Sequence, residues 1–238
     1  MLHISMSVIL EYKHIYKKFG EKVVLNDINL QSTAGKIVGM LGKNGSGKST
    51  LFKLANDLLT ATNGEVLIDG KPVGVATKQI VSYLPERTYL DPSMRVSDVI
   101  KMFKTFYADF DQAKAEKLLI DLQLDKEMRL SKMSKGMKEK VQLVMVMSRR
   151  AKLYILDEPL GGVDPASRDY ILKTILKNFN QDATLLISTH MIADIEKILD
   201  EVIIIDNASI VLHENAEQLR KQEKCSIDEV FRRRFYVK

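Results

Sequence analysis

The sequence predicts an α/β domain interrupted by a helical insertion, on three observations. Gly42-Lys43-Asn44-Gly45-Ser46-Gly47-Lys48-Ser49 fits G-x-x-x-x-G-K-[ST], a glycine loop that wraps a phosphate chain. It lies between the apolar, strand-like run 36–41 and the segment 50–58, where Leu51, Leu54, Ala55 and Leu58 recur at helical spacing. From about Val96 to Arg150 the strand-like runs disappear and only the helical period is left.

Strand, glycine loop, helix is the order that anion binding requires. The backbone must curl until successive N–H groups point at one anion, and side chains larger than hydrogen obstruct that curl. The following helix N-terminus adds its dipole. Lys48 supplies a point charge for the β- and γ-phosphates of a nucleotide, and the Ser49 hydroxyl can ligate Mg²⁺.

The elements follow in order. Val8-Ile9-Leu10-Glu11-Tyr12-Lys13 and the run 23–30 read as strands, with Tyr16-Lys17-Lys18-Phe19-Gly20-Glu21 as the turn between them. Phe19 in that turn either closes a small core or offers a platform for a base. After the loop helix, Thr60-Ala61-Thr62-Asn63-Gly64 breaks the pattern, and Glu65-Val66-Leu67-Ile68-Asp69-Gly70 makes a strand with a tight turn. A further strand, 79–84, ends at Pro85.

In the insertion, Val99, Ile100, Phe103 and Phe106 share one helical face, as do Leu118, Leu119 and Leu122, and then Val141, Val144, Met145 and Ser148. Its third helix opens at Met133-Ser134-Lys135-Gly136-Met137, with Ser134 as N-cap. That start is either simply capped or a second phosphate site.

Lys152-Leu153-Tyr154-Ile155-Leu156-Asp157-Glu158-Pro159 is an apolar strand ending in two carboxylates. Beside a phosphate loop, Asp157 would hold Mg²⁺, through water or via Ser49. Glu158 is expected to point elsewhere, since strand side chains alternate, and can orient or deprotonate a water facing the γ-phosphate. Asp164-Pro165 starts a helix whose core face is Ile171, Leu172, Ile175, Leu176 and Phe179. The next strand, 183–188, leads to Thr189-His190, where His190 is either a satisfied histidine or a γ-phosphate sensor. Strands at 201–206 and 209–212 follow, then Ser226-x-x-Glu229 with Val230, Phe231 and Phe235 on a packing face.

Composition narrows the function classes. The 238 residues suffice for one substantial core, and 45% apolar with 28% charged residues is ordinary for a globular protein. The net charge of +5 is too mild to demand nucleic acid, so none is expected as a partner, and Arg232-Arg233-Arg234 reads as a solvated helix face. No apolar run is long enough to cross a bilayer, and no signal segment opens the chain. With one cysteine, Cys225, a reducing compartment is expected: cytosolic, or on a membrane through a partner.

Together these residues resemble the ATP-binding cassette family, the motor subunits of ABC transporters, in motif order and spacing over nearly the whole chain. The resemblance implies a P-loop NTPase fold with a mainly parallel core sheet (1–95 and 151–212), an N-terminal antiparallel β subdomain, a helical subdomain (96–150) and a C-terminal helical tail (213–238). It implies ATP and Mg²⁺ as ligands. Gly42, Lys43, Asn44, Gly45, Ser46, Gly47, Lys48, Ser49 and Thr50 match the first nucleotide motif, and Asp157-Glu158 the second. Phe19 stands where the family stacks adenine, Ser134-Lys135-Gly136-Met137 resembles its signature, Gly162-Val163-Asp164 its D-loop, and His190 its switch histidine. Catalysis would then rest on Glu158, His190 and Lys48, and the metal on Ser49, Asp157 and Glu86.

Two departures stand out. Lys135 stands where glycine is usual and Met137-Lys138 where glycine-glutamine is usual, while Glu86 in Tyr83-Leu84-Pro85-Glu86 occupies the place of a usual glutamine. Both variants resemble bacterial single-cassette subunits of drug or antimicrobial-peptide exporters. The resemblance further implies a head-to-tail dimer sandwiching ATP, and a separate integral membrane subunit on whose cytoplasmic face the cassette sits. Two other classes compete: a soluble cassette ATPase of repair or cofactor assembly, and a nucleotide sensor without turnover. The absence of sustained heptads between the nucleotide motifs argues against a repair type, and Glu158 argues against a sensor.

Overall fold

The computed structural model describes residues 7–236, except Gly162 and Gln181. Gly162 of the expected D-loop, and the side chain of Phe235, thus lie outside the described residues.

Two sheets share one layer of core. The first is antiparallel and four-stranded, in the order β2-β1-β4-β5, from β1 (Val8–Phe19), β2 (Lys22–Thr33), β4 (Asn63–Ile68) and β5 (Lys71–Pro72). The second has six strands. In it β3 (Ile37–Leu41), β6 (Val81–Leu84), β7 (Leu153–Asp157), β8 (Thr184–Thr189), β9 (Glu201–Asp206) and β10 (Ser209–Asn215) run in the order β10-β9-β3-β8-β7-β6. Every pairing in it is parallel except β10 with β9. The α/β class, with its mainly parallel core and N-terminal antiparallel sheet, is therefore the architecture observed.

Alternation along the parallel strands builds two cores. Leu153, Ile155, Leu186, Ile203 and Ile205 face the antiparallel sheet, with α1 (Lys48–Ala55) and the short α2 (Val75–Lys78) beginning beyond β3 and β5 respectively. Leu51, Phe52 and Leu54 of α1 are fully buried between the sheets, each worth about 1.5–3 kcal/mol of burial. Tyr154, Leu156, Leu185, Ile187, Val202 and Ile204 face the other way. They join a core with α3 (Val96–Phe106), α4 (Gln112–Asp121), α5 (Lys135–Met147), α6 (Pro165–Asn178) and the C-terminal helices. After the four-residue α7 (Ile192–Ile195), those last helices are α8 (Ala216–Glu223) and α9 (Ile227–Tyr236).

Three local expectations are corrected. Tyr16 to Phe19 belong to β1, and the turn is only Gly20-Glu21. Register shifts around His14, which has φ of +49°, break the period-two signal that would have revealed the longer strand. Phe106 is exposed at the end of α3, and Tyr107 and Phe110 pack on Phe103 instead, at 5.4 and 5.6 Å between ring centres. The last strand continues past Leu212 to Asn215, whose side chain accepts from the Glu217 and Gln218 N–H groups, so helix starts only at Ala216. The polar run His213-Glu214-Asn215 gave no apolar signal, yet it pairs with β9, and His213 Nε2 meets Glu201 Oε2 at 3.2 Å.

Candidate active site

Residues 42–47 curl over the end of β3 and deliver the chain into α1. Gly45 and Gly47 have φ of +80° and +113°. A Cβ at Gly42 would stand 2.6 Å from the Ile205 carbonyl oxygen, and one at Gly47 would stand 3.0 Å from that of Val24. Only glycine fits both positions, so the loop is a backbone cradle. Ser46 Oγ is buried in it without a partner among the described residues.

Lys48 opens α1 and is almost wholly buried. Its ammonium donates to the carbonyls of Gly42 at 2.7 Å and Lys43 at 3.1 Å, which holds it along the cradle. Burial lowers its pKa, while the charges of Glu158, Asp157 and Glu86 oppose that fall. One cation thus faces three carboxylates drawn from β7's end and the loop after β6.

Asp157 is the last residue of β7, and Ser188 is its register partner on β8. Ser188 Oγ donates to Asp157 Oδ1 at 2.6 Å and accepts from the Glu158 N–H at 3.0 Å. Burial raises the Asp157 pKa; hydrogen bonds from Ser188 and Ser49 and the Lys48 charge work against it. Glu158 does diverge from Asp157, but not by strand alternation. The strand has ended, and Glu158 has φ of +52°, a conformation rare outside glycine. Its Oε2 lies 2.8 Å from His190 Nδ1. With the proton on Nδ1, the exposed imidazole donates to that oxygen.

A cleft of 1160 Å³ gathers most of the sequence-derived residues. Asn44, Gly45, Gly47, Lys48, Ser49 and Thr50 form one wall, with Glu86, Glu158 and His190 beside them. Phe19 stands at its rim, half exposed at the end of β1, with Lys17 Nζ 4.8 Å from the ring centre; it closes no core. Lys135 also lines it, 3.7 Å from Glu139 of its own helix.

Other sequence-derived residues do not themselves line that cleft. Lys43 and Ser46 line an adjoining depression with Asp206 and Asn207. Ser134 caps α5 by accepting from the Met137 N–H at 3.2 Å, next to Gly136, around which a Cβ would meet only open space. Asp164 caps α6 by accepting from the Ser167 N–H at 3.1 Å.

Sequence reasoning missed Ser188 and Tyr83. Ser188 is a polar residue closing an apolar strand, the one local hint of its role. The Tyr83 hydroxyl is buried without a partner among the described residues, and burial, Asp157 and Glu86 all raise its pKa. Tyr83 also lines a separate groove of 720 Å³ bounded by Asn56, Tyr83, Phe103, Tyr107 and Arg149, with Leu58 and Tyr89 exposed at its edge. Ser49, Glu86 and Asp157 line that groove as well.

The geometry agrees with the comparisons. The ABC transporter family model matches residues 25–161. The ABC transporter ATP-binding protein YtrB of Bacillus subtilis is 26% identical over 216 residues, covering 90% of this chain and 74% of YtrB. The Nod factor export ATP-binding protein I of Cupriavidus metallidurans is 26% identical over 235 residues, covering 95% of this chain and 78% of that protein. A solved structure of an ATP-binding subunit of an ABC transporter superposes with a TM-score of 0.84 at 27% identity, covering 94% of this chain and 98% of that one. The family match spans more than half of the sequence and includes both the glycine cradle and the paired carboxylates, so this chain belongs to the ABC transporter family, as an ATP-binding subunit.

Proposed function

We propose that this subunit hydrolyses ATP within a head-to-tail dimer and so drives export through a separate integral membrane protein, to whose cytoplasmic face it binds. The observation that carries the reading is the pair of helix starts on one chain. One is α1 behind the glycine cradle, and the other is α5 capped by Ser134 with Gly136 open beside it. A monomer needs only the first. Export is supported by the likeness to the Nod factor export protein.

Each residue has a distinct task. The cradle N–H groups and Lys48 bind the phosphates, Thr50 and Asn44 border them, and Phe19 offers its exposed face to adenine. Ser134, Lys135, Gly136 and Met137 meet the nucleotide held by the other protomer, with Asp164 at the same junction. Ser49, Asp157 and Glu86 fit Mg²⁺: all are oxygen donors, and all three line one groove. When bound, Mg²⁺ offsets the phosphate charge. Glu158 orients a water and takes its proton at the carboxylate, while His190, bonded to Oε2, fixes that side chain. Among the described residues no helix is long and apolar enough to cross a membrane, which fits a peripheral subunit. The 720 Å³ groove suits a helix of the membrane partner, because Glu86 lines both the groove and the nucleotide cleft and can report one to the other.

The test is Glu158→Gln. ATP binding should survive, turnover should fall on the order of 10²–10⁴-fold, and Mg·ATP should accumulate dimers visible by light scattering. Adding Ser134→Arg should abolish those dimers while each P-loop still binds ATP. A Glu158→Gln chain that stays monomeric at high concentration, with ATP bound, would count against the sandwich.

A further inference from the structure

Where α5 meets the loops that follow β6 and β7 there is a narrow, partly open cavity of 30 Å³, lined by Pro85, Glu86, Glu139, Gln142, Asp157 and Glu158 among others. Two of the lining residues carry a polar side-chain atom that is buried without a partner among the described residues. One is Gln142 Nε2, on a residue only 1% exposed; the other is Glu139 Oε2. The two residues are three apart on α5 and so share a face. The second Glu139 oxygen faces Lys135 at 3.7 Å, and burial raises the pKa of this carboxyl.

A buried amide such as that of Gln142 is unfavourable unless it is hydrogen-bonded. A site for one water needs about 10–15 Å³ and at least two polar partners, and this cavity supplies the room, one donor and one acceptor. Its walls are also functional. Glu86, Glu139 and Glu158 line both this cavity and the nucleotide cleft.

We propose that one ordered water bridges Gln142 Nε2 to Glu139 Oε2, and that the bridged pair positions the loops of Glu86 and Glu158 against α5. Gln142 is then a positioning residue: it acts through Glu139 and the cavity wall, without touching substrate. The helix whose start carries Ser134 is thereby tied to the carboxylate that handles the attacking water. The second half of this inference rests on the reading of Glu158 given above.

The experiment has a structural arm and a kinetic arm. A high-resolution crystal structure should show a water within hydrogen-bond distance of both side chains. Gln142→Met, which keeps the volume and removes the amide, should lower Tm by about 2–4 °C. Combined with Glu139→Gln, the two shifts should be non-additive. In steady-state ATP hydrolysis, Gln142→Met should lose about tenfold in kcat with KM for ATP within about twofold. An ordinary packing role would lower Tm and leave kcat unchanged, which overturns the proposal. So would a cavity without ordered water, or a Gln142→Met chain as stable as the parent, its orphaned amide simply relieved. A parent chain that binds ATP yet never hydrolyses it would instead overturn the reading of Glu158. The cavity water and the coupled melting shifts would still decide the bridge.

Discussion

His190 Nδ1 and Glu158 Oε2 stand 2.8 Å apart, although 32 positions separate them in the chain. The contact follows from register. Asp157 of β7 pairs with Ser188 of β8, so the residues just beyond each strand emerge side by side. The left-handed turn at Glu158 then directs its carboxylate to the imidazole. If that bond fixes the base, His190→Ala should retain ATP binding and lose turnover on the order of 10²-fold. Turnover within twofold of the parent, measured by phosphate release, would show that Glu158 needs no such partner.

Lys48→Ala tests the cradle. Charge-assisted contacts are worth about 1.5–3 kcal/mol each, so ATP affinity should fall at least tenfold. Titration calorimetry is the suitable measurement, since the chain has no tryptophan to quench. Unchanged affinity would remove Lys48 from the site.

Glu86 tests the metal site. A glutamine there offers an oxygen ligand and an N–H donor, whereas glutamate keeps the oxygen and adds negative charge. Glu86 lies within electrostatic reach of both Lys48 and Asp157. ATP binding should therefore depend steeply on Mg²⁺, and Glu86→Gln should partly relieve that dependence while turnover is preserved. Equal metal dependence in the two chains would assign Glu86 to the groove and its membrane partner instead.

Arg149 tests the joint between the helical insertion and the sheet edge. Its buried guanidinium donates to the carbonyls of Gln79 at 2.7 Å, Lys78 at 3.3 Å and Val81, and to Asp109 Oδ1 at 3.0 Å. It also stacks 3.8 Å from the centre of the Tyr107 ring. Arg149→Met would strand these acceptors, at a cost of about 3–5 kcal/mol, and lower Tm by roughly 6–15 °C in calorimetry. Arg149→Lys should recover little, because an ammonium cannot span the fork. A shift under about 2 °C would contradict this account.

The sequence by itself determined what short-range chemistry encodes. The glycines at 42, 45 and 47 announce a cradle because no other residue tolerates those close approaches and positive φ angles. Ser134 and Asp164 announce helix starts because their side chains bond N–H groups three residues on. The apolar run Leu153-Tyr154-Ile155-Leu156 likewise announces a buried strand.

Only the tertiary structure decided the pairings across the sheet. Ser188 bonds Asp157, and Glu158 meets His190, through a parallel register that hydrophobic period does not encode, since a fully buried strand is apolar on both faces. The bulged course of β1, the exposure of Phe106 and the polar end of β10 were hidden for a related reason: each is set by what packs or pairs opposite. Gln142 shows the limit most plainly. From its neighbours it reads as one polar residue in an apolar helix, and only the packing of α5 against two loops brings it to the wall of a water-sized cavity shared with Glu158.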